Sequence, residues 1–341
     1  MKAAVYNPYL DTLGGGERYT LDFTRVLMEN DYNVHVQWKD KKIKNVLEER
    51  FGMDLEKLQV VENINRGDGY DICFWLSDGS IPLLRSRKNI LHFQHPFRNV
   101  NGSSLLNKMK LYRINYIVCN SNFTKKFIDK EYSVNSTVIY PAIDLVSIKP
   151  KRKQNLILSV GRFSQLEQAK RQDVLIKVFR NMIDKGLENW KLIIAGGVEV
   201  GVSEYLNELK EAIKGYPIEL MESPNFSKLV ELYGVARIFW SASGFGIDEN
   251  EEPKKVEHFG ITLVEAMAAK GVPVVYNAGG HKEIIKNEVN GYLWDEESML
   301  EKLTLNLIDD DKLCRKISST AKMSSENFSY EIYREKVQEL L

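Results

Sequence analysis

Residues 257–265 read Glu257-His258-Phe259-Gly260-Ile261-Thr262-Leu263-Val264-Glu265, and they are the most informative stretch of the chain. A Phe-Gly turn leads into a strongly helix-forming run that continues to Ala269. We predict that Thr262 caps the start of this helix and that Gly271 ends it. An apolar strand is predicted to follow at 272–276.

The turn before this helix has the features of an anion-binding site. Backbone N–H groups near Gly260 and Ile261 are predicted to point outward at the positive end of the helix dipole, which suits a diphosphate. Glu257 lies before the turn and Glu265 lies two turns inside the helix. The two carboxylates can therefore touch opposite ends of an elongated ligand, such as a sugar and a ribose. Spacing alone leaves one alternative open, an ordinary buried helix with two solvated acids.

The alternation of apolar strand and helix extends through the rest of the chain. Short buried strands are predicted at 3–6, 33–37, 72–75, 89–93, 116–119, 137–140, 155–160, 190–195, 218–220 and 238–241. Helical patterns such as 19–30 and 122–130 lie between them, which is typical of doubly wound parallel sheets. The alternation pauses at 141–154, a polar stretch with prolines and a basic cluster. We therefore predict two Rossmann-like domains, with a ligand between them at the carboxyl ends of the strands.

Length and composition agree with two domains. The chain has 341 residues, of which 43% are hydrophobic, so material for two cores is ample. We place an N-terminal domain at 1–147, a C-terminal domain at 148–325 and a last helix at 326–341 that returns to the N-terminal domain. Because 47 basic residues balance 47 acidic ones, a general nucleic-acid binder is disfavoured.

The chain shows no signal for export or for a disulfide framework. Cys73 and Cys119 lie within apolar runs and are predicted to be buried small hydrophobes, and with Cys314 they have no metal-ligand spacing. The first residues form a predicted strand rather than a signal peptide, and no apolar stretch reaches about 18 residues. We expect a cytoplasmic protein, with peripheral contact at the inner membrane face left open.

One basic and apolar run motivates that membrane hypothesis. Residues 1–145 contain 20 basic and 17 acidic side chains, an excess of three. The run Lys108-Met109-Lys110-Leu111-Tyr112-Arg113 places Lys110 and Arg113 on one helical face, with Leu106 and Met109 on a neighbouring face. The first domain is thus a candidate for contact with lipid or a lipid-linked acceptor. The alternative is the surface helix of an ordinary soluble enzyme.

Two further segments follow predicted strands and carry groups suited to ligand binding. Leu13-Gly14-Gly15-Gly16-Glu17-Arg18 lets the backbone approach a ligand closely, although the G-x-G-x-x-G dinucleotide spacing is absent and a plain turn is the alternative. In the second half, Arg162 follows a strand and Lys170 lies at a helix start. Both can bind phosphate, the arginine through its forked geometry and the lysine as a point charge. The alternative here is a solvated basic loop.

Residues 257–280, with Val272-Pro273-Val274-Val275 and Gly279-Gly280, resemble the signature of the retaining glycosyltransferases of group 1, the GT4 family. That signature is a glutamate, seven residues, a second glutamate, a small-residue helix, a Pro-Val-Val strand and a Gly-Gly turn. Further matches extend the resemblance over nearly the whole chain. It implies the α/β GT-B fold, with two Rossmann-like doubly wound domains facing a central cleft. The N-terminal domain would serve the acceptor and the C-terminal domain the nucleotide-sugar donor.

The resemblance implies a role for each candidate residue. Arg162 and Lys170 match the diphosphate clamp, although the loop Gln165-Leu166-Glu167-Gln168-Ala169 is longer than usual and leaves Arg171 as an alternative to Lys170. Glu265 would hold the ribose hydroxyls and Glu257 the sugar. The remaining donor-binding candidates in this signature are His258, Phe259, Gly260, Ile261 and Thr262.

The N-terminal candidates are implied in the same way. His95, at the end of a predicted strand, matches the family better than His92 and joins Glu257 as a catalytic candidate, while Gly15 and Gly16 would face the donor sugar. No residue is an obvious covalent nucleophile, and the family's retention is assigned to front-face attack with the donor phosphate as base. We expect no cofactor and no metal. The acidic loop 248–252 could bind a cation, but a solvated loop is the expectation.

Taken together, these expectations describe transfer of a hexose from a UDP- or GDP-sugar to a hydroxyl of a glycan or lipid-linked acceptor. Three alternatives stay open at this stage. They are a nucleotide-sugar epimerase on the same fold, a phosphorylase, for which the chain is very short, and a catalytically silent sugar-nucleotide-binding subunit. The intact set of Arg162, Lys170, Glu257 and Glu265 argues against a silent subunit.

Overall fold

A computed structural model describes residues 1–12, 14–165, 168–199 and 201–341. The chain divides into two compact units, which we call unit 1 (Met1–Ala142 with Tyr330–Leu341) and unit 2 (Ile143–Ser329). The expected changes of domain, after 147 and after 325, both fall inside unit 2. The chain segments at the two ends of unit 2 pair with each other: the Ile143 N–H donates to the Phe328 carbonyl at 2.9 Å, and Ile143 forms a parallel β-bridge with Ser329.

The elements follow one another in the alternating order expected of doubly wound domains. The strands are β1 (Lys2–Tyr6), β2 (Asn33–Gln37), β3 (Gln59–Val61), β4 (Ile72–Leu76), β5 (Lys88–Phe93), β6 (Tyr116–Cys119), β7 (Thr137–Val138), β8 (Gln154–Val160), β9 (Lys191–Gly196), β10 (Ile218–Glu222), β11 (Ala236–Ser241), β12 (Val272–Tyr276) and β13 (Tyr292–Trp294). The helices are α1 (Gly15–Glu29), α2 (Ile43–Phe51), α3 (Leu105–Leu111), α4 (Asn122–Tyr132), α5 (Gln172–Asp184), α6 (Ser203–Ala212), α7 (Phe226–Val235), α8 (Ile261–Ala268), α9 (His281–Ile284), α10 (Glu297–Asp309), α11 (Asp311–Ser325) and α12 (Tyr330–Gln338).

Unit 1 is built on a parallel sheet with the strand order β3-β2-β1-β4-β5-β6-β7. Its central strand β1 carries Ala3, Ala4 and Val5, all fully buried, as expected of a strand covered on both faces. The order reverses between β1 and β4, which is the topological switch point where open α/β sheets bind ligands. Cys73 and Cys119 are buried and not disulfide-bonded, as predicted.

The last helix, α12, belongs to unit 1 and packs on α1. The Tyr333 ring meets Tyr19 edge-on with centroids 5.3 Å apart, and its hydroxyl donates to the Tyr19 carbonyl at 3.2 Å. The Arg25 guanidinium lies 3.9 Å from the centroid of the Tyr330 ring. The chain therefore leaves unit 1 after β7 and completes it again with its final residues.

Unit 2 repeats the same plan, with the strand order β10-β9-β8-β11-β12-β13 and the reversal between β8 and β11. Its core contains Trp240 and Trp294, both fully buried. The Trp240 indole N–H donates to the Thr304 hydroxyl at 3.0 Å, so the sheet is tied to α10 by a satisfied polar contact. Two parallel, doubly wound sheets confirm the predicted α/β architecture.

The sequence pattern was wrong at three short strands, and it started the helix predicted at 19–30 four residues late, since α1 begins at Gly15. Strands β3 and β13, each of three residues, were not predicted, and β7 ends at Val138 rather than at 140. All three lie at the edge of a sheet. The side chains of β3 and β7 are not buried, so their apolar pattern is weak. Strand β13 buries Tyr292 and Trp294, and it was missed because three residues are too few to show a strand period. Within the described residues, no helix is both long enough and apolar enough to cross a membrane.

Candidate active site

The candidate residues of unit 2 gather at the carboxyl ends of β8, β11 and β12, next to its switch point. The loop after β8 carries Arg162 and Lys170, the segment between β11 and α8 carries Glu257, and the Gly279-Gly280 turn follows β12. In a parallel sheet all loops that follow strands emerge at the same edge. These groups therefore meet because of the topology, although Arg162 and Gly280 are 118 positions apart in the sequence.

The backbone at Gly161 and Arg162 packs closely against the backbone of Gly196. A Cβ on Gly196 would lie 2.0 Å from the Gly161 carbonyl oxygen, so only glycine fits beside this turn. The Gln172 side-chain amide donates to the Arg162 carbonyl at 2.9 Å, and the Tyr205 hydroxyl donates to Gln172 at 2.9 Å. This buried network orients the chain that presents Arg162. It has no local sequence signature, and sequence reasoning missed it.

Lys170 and Glu257 form an ion pair with 2.8 Å between Nζ and Oε2. Their side chains are only 17% and 16% exposed, so the pair is largely screened from water. Burial by itself would raise the pKa of Glu257, but the charges of Lys170, His281 and His258 and the Lys170 hydrogen bond outweigh burial and lower the pKa to about 2. Glu257 is thus a carboxylate over the whole physiological pH range.

The alternative cation, Arg171, points elsewhere. Its guanidinium pairs with Asp173 at 3.0 Å and donates to the Phe245 carbonyl at 2.9 Å. Lys170 rather than Arg171 therefore reaches the Glu257 carboxylate. Of the lengthened loop between them and Arg162, Leu166 and Glu167 lie outside the described residues.

Arg162 is held much more loosely than Lys170. Within the described residues it pairs with Glu199, with 3.8 Å between Nη1 and Oε1, and its side chain is 48% exposed. Glu199 follows β9 in the neighbouring loop, and its role was not predicted because nothing in its local sequence marks it. A half-exposed guanidinium at this distance is available to another anion.

Helix α8 begins as the sequence predicted but is capped differently. Its N-cap is Gly260, with φ 115°, and not Thr262, which lies inside the first turn. The Leu263 N–H donates back to the Gly260 carbonyl, whereas the Ile261 and Thr262 amides belong to the first turn, where N–H groups lack helical acceptors. The N-cap correction leaves the predicted amide site in place, at the positive end of an eight-residue helix.

The end of α8 also differs from the prediction. The residue with left-handed backbone is Lys270, with φ 62°, and not Gly271. The Gly271 N–H donates to the Ala266 carbonyl and the Lys270 N–H to the Met267 carbonyl, at 2.8 and 2.9 Å, which is a Schellman ending with lysine in the place usually taken by glycine. Gly271 serves close packing instead, since a Cβ there would lie 3.1 Å from the Ala266 carbonyl.

The Gly279-Gly280 turn positions the segment that carries Glu257. A Cβ on Gly279 would lie 2.1 Å from the Glu257 carbonyl oxygen, and one on Gly280 would lie 2.5 Å from the Phe259 Cα. The Gly280 N–H donates to that same Glu257 carbonyl at 2.7 Å. Glycines are needed here because two backbones touch, which explains on physical grounds why the signature ends in Gly-Gly.

His258 and Glu265, which follow Glu257 in the sequence, are each held by a hydrogen bond. Buried His258 lies 2.5 Å from the Gln168 amide, a partner that sequence reasoning missed. Glu265, inside α8, accepts a 2.7 Å hydrogen bond from the buried Tyr233 hydroxyl, and burial together with the nearby Glu265 charge raises the Tyr233 pKa well above its usual value. Glu257 and Glu265 therefore occupy different surroundings, one paired with a cation and one with a phenol.

The acidic loop 248–252 contributes structure to the same region. The Glu249 carboxylate accepts from the Gly279 N–H at 2.7 Å and pairs with Lys282. Across the part of the chain that the structure describes, no cluster of three or more His, Cys, Asp or Glu side chains is placed to hold a metal ion.

In unit 1 the glycine loop and His95 also lie at the carboxyl edge of the sheet. Gly14 is the N-cap of α1, and its N–H donates to the Glu17 carboxylate at 2.7 Å; Leu13 lies outside the described residues. A Cβ on Gly16 would lie 2.1 Å from Gln94, whose amide donates to the Gly16 carbonyl. His95 is the next residue after Gln94, so the loop and the histidine are joined through a glutamine that the sequence did not mark.

His92 is a core residue, in agreement with the choice of His95. It is fully buried in β5, stacks on Tyr19 with centroids 4.0 Å apart and makes a 3.1 Å hydrogen bond with the Val118 carbonyl. Burial lowers its pKa to about 3, so the ring is neutral.

Comparison with known proteins identifies the family. The profile described as glycosyl transferases group 1 matches residues 144–324, which is more than half of the chain. The chain belongs to this family. The match favours glycosyl transfer over the epimerase and silent-subunit alternatives that the sequence left open.

The chain is also similar to individual family members. It is 27% identical over 217 residues to the alpha-1,3/1,6-mannosyltransferase ALG2 of Candida glabrata, covering 53% of this chain and 46% of that protein. The chain thus spans less than half the length of this mannosyltransferase. An uncharacterised glycosyltransferase of Methanocaldococcus jannaschii is 24% identical over 96% of this chain and 93% of its own.

Solved structures show that the similarity of fold extends over nearly the whole chain. The crystal structure of Anabaena HepE in complex with UDP superposes with a TM-score of 0.79 at 17% identity, covering 99% of both chains. HepE in complex with UDP-glucose gives a TM-score of 0.77. At this identity the comparison establishes the GT-B fold and leaves the role of each residue to direct tests.

Proposed function

We propose that this protein transfers a hexose from a nucleotide diphosphate sugar, UDP- or GDP-linked, to a hydroxyl of a glycan or lipid-linked acceptor. The observation that carries the proposal is the Lys170–Glu257 pair at the carboxyl edge of the unit 2 sheet, beside the N-terminus of α8 and near the loop that carries Arg162. A buried lysine, a half-exposed arginine and a helix N-terminus in one place suit a diphosphate. The HepE complexes with UDP and UDP-glucose support the same class of donor.

The proposed division of work follows from the surroundings of each group. Arg162 and Lys170, with the amides of Gly260, Ile261 and Thr262, would stabilise the charge that develops on the leaving diphosphate. Glu257 accepts from Lys170 through one oxygen, Oε2, so its carboxylate can also accept hydrogen bonds from sugar hydroxyls. Glu265, oriented by Tyr233, would accept from the ribose hydroxyls.

The reaction itself is proposed to proceed with retention and without a metal or cofactor. The acceptor oxygen would bond to the anomeric carbon on the face from which the diphosphate leaves, the bond to the phosphate oxygen would break, and the acceptor proton would pass to the departing phosphate. Fixed cations and helix amides would do the charge neutralisation that a divalent ion does elsewhere. For unit 1, His95, Gly15 and Gly16 remain predicted sugar-contacting residues, and His258 and Phe259 remain predicted donor contacts.

The donor can be identified by thermal shift with UDP-, GDP- and ADP-sugars, because a ligand that binds only the folded state raises the melting temperature by mass action. The best donor is then used in transfer to glycan and lipid-linked acceptors without added metal and with a chelator. We expect a product with the donor's anomeric configuration. Release of nucleoside diphosphate without any glycosylated product, or interconversion of the free sugar nucleotide, would contradict the proposed transfer.

The split of roles between the two carboxylates has its own test. Glu265→Gln should weaken binding of the free nucleoside diphosphate and of the donor alike, whereas Glu257→Gln should lower turnover and leave nucleoside diphosphate affinity nearly intact. Isothermal titration of both variants with the nucleoside diphosphate decides between them. Equal losses in the two variants would refute the assignment.

A further inference from the structure

Helix α3 of unit 1 presents a contiguous set of apolar side chains to solvent. Leu105, Leu106, Met109 and Tyr112 are 77%, 62%, 66% and 92% exposed. Their spacing places them on one side of the helix, because residues three, four and seven apart share a face. No residue of α3 is buried. Single exposed apolar residues are ordinary, but four on the same face of one short helix indicate a surface that is covered in use.

The rest of unit 1 holds this helix in place. Before α3, the N–H groups of Asn99, Val100 and Gly102 all donate to the Glu131 carboxylate, at 2.9 to 3.0 Å. At its other end, Leu111 and Ile114 are partly buried and pack against the apolar cluster of β5, β6 and α4. Because that side faces the domain, the apolar face of α3 is directed outward by packing and not by chance orientation of a loose segment.

The stretch of sequence that contains α3 carries charges of one sign, and the Glu131 carboxylate that lies before the helix is taken up by three backbone N–H groups. Between Asp78 and Asp129 the chain contains no acidic residue, whereas the same fifty residues contain nine lysines and arginines. Three of these basic residues, Lys108, Lys110 and Arg113, lie within or beside the apolar face. Within the described residues their side chains make no hydrogen bond or ion pair. Lys108 and Lys110 fall on opposite flanks of the apolar face at 100° per residue.

We propose that α3 docks the protein on an anionic phospholipid surface. Leu105, Leu106, Met109 and Tyr112 would enter the boundary between headgroups and acyl chains, while the flanking cations meet lipid phosphates. A second copy of the same chain fits this surface less well, because a self-complementary contact would bring two sets of unpaired cations together. The proposal concerns where the protein lies and does not depend on the glycosyl transfer proposed above.

Co-sedimentation of the full chain with vesicles tests the proposal. Vesicles of phosphatidylcholine with phosphatidylglycerol in equal parts should bind the protein at low salt, and those of phosphatidylcholine alone should bind it far less. Binding to the anionic vesicles should weaken strongly as salt approaches about 1 M, because exposed charges are screened. The absence of binding to anionic vesicles at low salt would overturn the proposal.

Two sets of variants locate the surface. The double variant Leu106→Ser with Met109→Ser should reduce partitioning onto the anionic vesicles at least about tenfold. The triple variant Lys108→Gln with Lys110→Gln and Arg113→Gln should reduce it about fivefold for each charge lost. The matched controls are Met323→Ser, whose side chain is 69% exposed in unit 2, and Lys41→Gln with Lys42→Gln, exposed in unit 1. Unchanged melting temperatures exclude unfolding. Binding that survives both sets of α3 changes would place the contact on another surface.

A label distinguishes insertion from simple electrostatic attraction. The three natural cysteines are buried, so a thiol-reactive, polarity-sensitive dye should report mainly on Met109→Cys or, as the control, on Met323→Cys. We expect the dye at position 109 to brighten and shift to the blue with anionic vesicles, and the dye at 323 to stay unchanged. Equal responses at both positions would refute insertion. Concentration-dependent dimers that the serine changes abolish, without vesicle binding, would assign the face to a second copy of the chain.

Discussion

Two cation–carboxylate pairs lie at the same edge of the unit 2 sheet, and they differ in how far they are removed from water. Lys170 and Glu257 are 2.8 Å apart and largely buried, whereas Arg162 and Glu199 are 3.8 Å apart and the arginine is half exposed. The first geometry holds both partners in place, because breaking a buried pair leaves an uncompensated charge. The second contributes little to stability and leaves the arginine available. One pair is therefore expected to be structural as well as functional, and the other functional alone.

The largest effect is expected from Lys170→Met. The change leaves the Glu257 carboxylate without its main partner, which should destabilise the protein by roughly 1–3 kcal/mol after allowance for residual exposure, and should cut turnover by about a hundredfold to a thousandfold. Thermal melting and steady-state kinetics measure the two effects. The control is Lys214→Met, which removes an exposed 2.6 Å pair with Glu211 on the same unit and should change both quantities little. A loss of activity with unchanged stability would remove the distinction between the pairs.

Arg162→Ala should affect function without affecting the fold. We expect turnover to fall by about tenfold to a hundredfold and nucleoside diphosphate affinity to weaken, because a charge donor to the leaving group is lost. The free energy of unfolding should change by no more than roughly a few tenths of a kcal/mol, as for other exposed pairs, so the melting temperature should hardly move. Arg315→Ala, which removes a 3.7 Å exposed contact with Asp311, is the matched control. Unchanged nucleoside diphosphate binding in Arg162→Ala would contradict the assignment.

The pH dependence of stability should reveal the buried pair. Since its neighbours lower the folded-state pKa of Glu257 to about 2, below its value in the unfolded chain, the ionised carboxylate stabilises the fold at higher pH. This contribution is complete above about pH 5 and is lost as the pH falls towards about 2; it amounts to roughly 2–3 kcal/mol. The difference in the free energy of unfolding between the wild type and Glu257→Gln should therefore become smaller as the pH falls through that window. If this difference stays constant from pH 7 down to about pH 2, the proposed contribution of the Glu257 carboxylate is refuted.

The smallest effect is expected from Glu199→Gln. Removing this charge frees Arg162 from a weak competitor, so nucleoside diphosphate should bind about twofold to fivefold tighter, which corresponds to no more than about 1 kcal/mol. Isothermal titration at low and high salt checks the change, and the difference should shrink as salt screens the exposed pair. Weaker binding in Glu199→Gln would show that Glu199 supports the ligand rather than competing with Arg162.

Sequence reasoning located the candidate residues but not the contacts among them. Glu257, Arg162 and Lys170 could be proposed because charged residues after apolar strands gather at the carboxyl edge of a parallel sheet. Their pairing could not be predicted, since Lys170 and Arg171 are adjacent and only the path of the chain decides which reaches Glu257. The residues missed altogether, such as Gln172 and Tyr205, hold backbone atoms through long-range hydrogen bonds that leave no local pattern.

The caps of α8 illustrate the same limit on a smaller scale. Thr262 was the natural N-cap by propensity and Gly271 the natural end, but Gly260 and Lys270 hold the special backbone conformations. Propensity ranks residue types one at a time. The position of Gly260 is decided by the turn that brings Glu257 against Gly279 and Gly280, and that turn is a tertiary contact.

The class of fold, and the edge of the sheet at which the candidate site lies, could be predicted from local features, because apolar alternation and glycine turns specify strands, helices and their order. Three features emerged only in the folded chain: Lys170 is buried against Glu257, Arg162 lies half exposed beside Glu199, and the apolar face of α3 points outward. Those outcomes depend on burial, and burial is set by residues far apart in the chain that folding brings into contact.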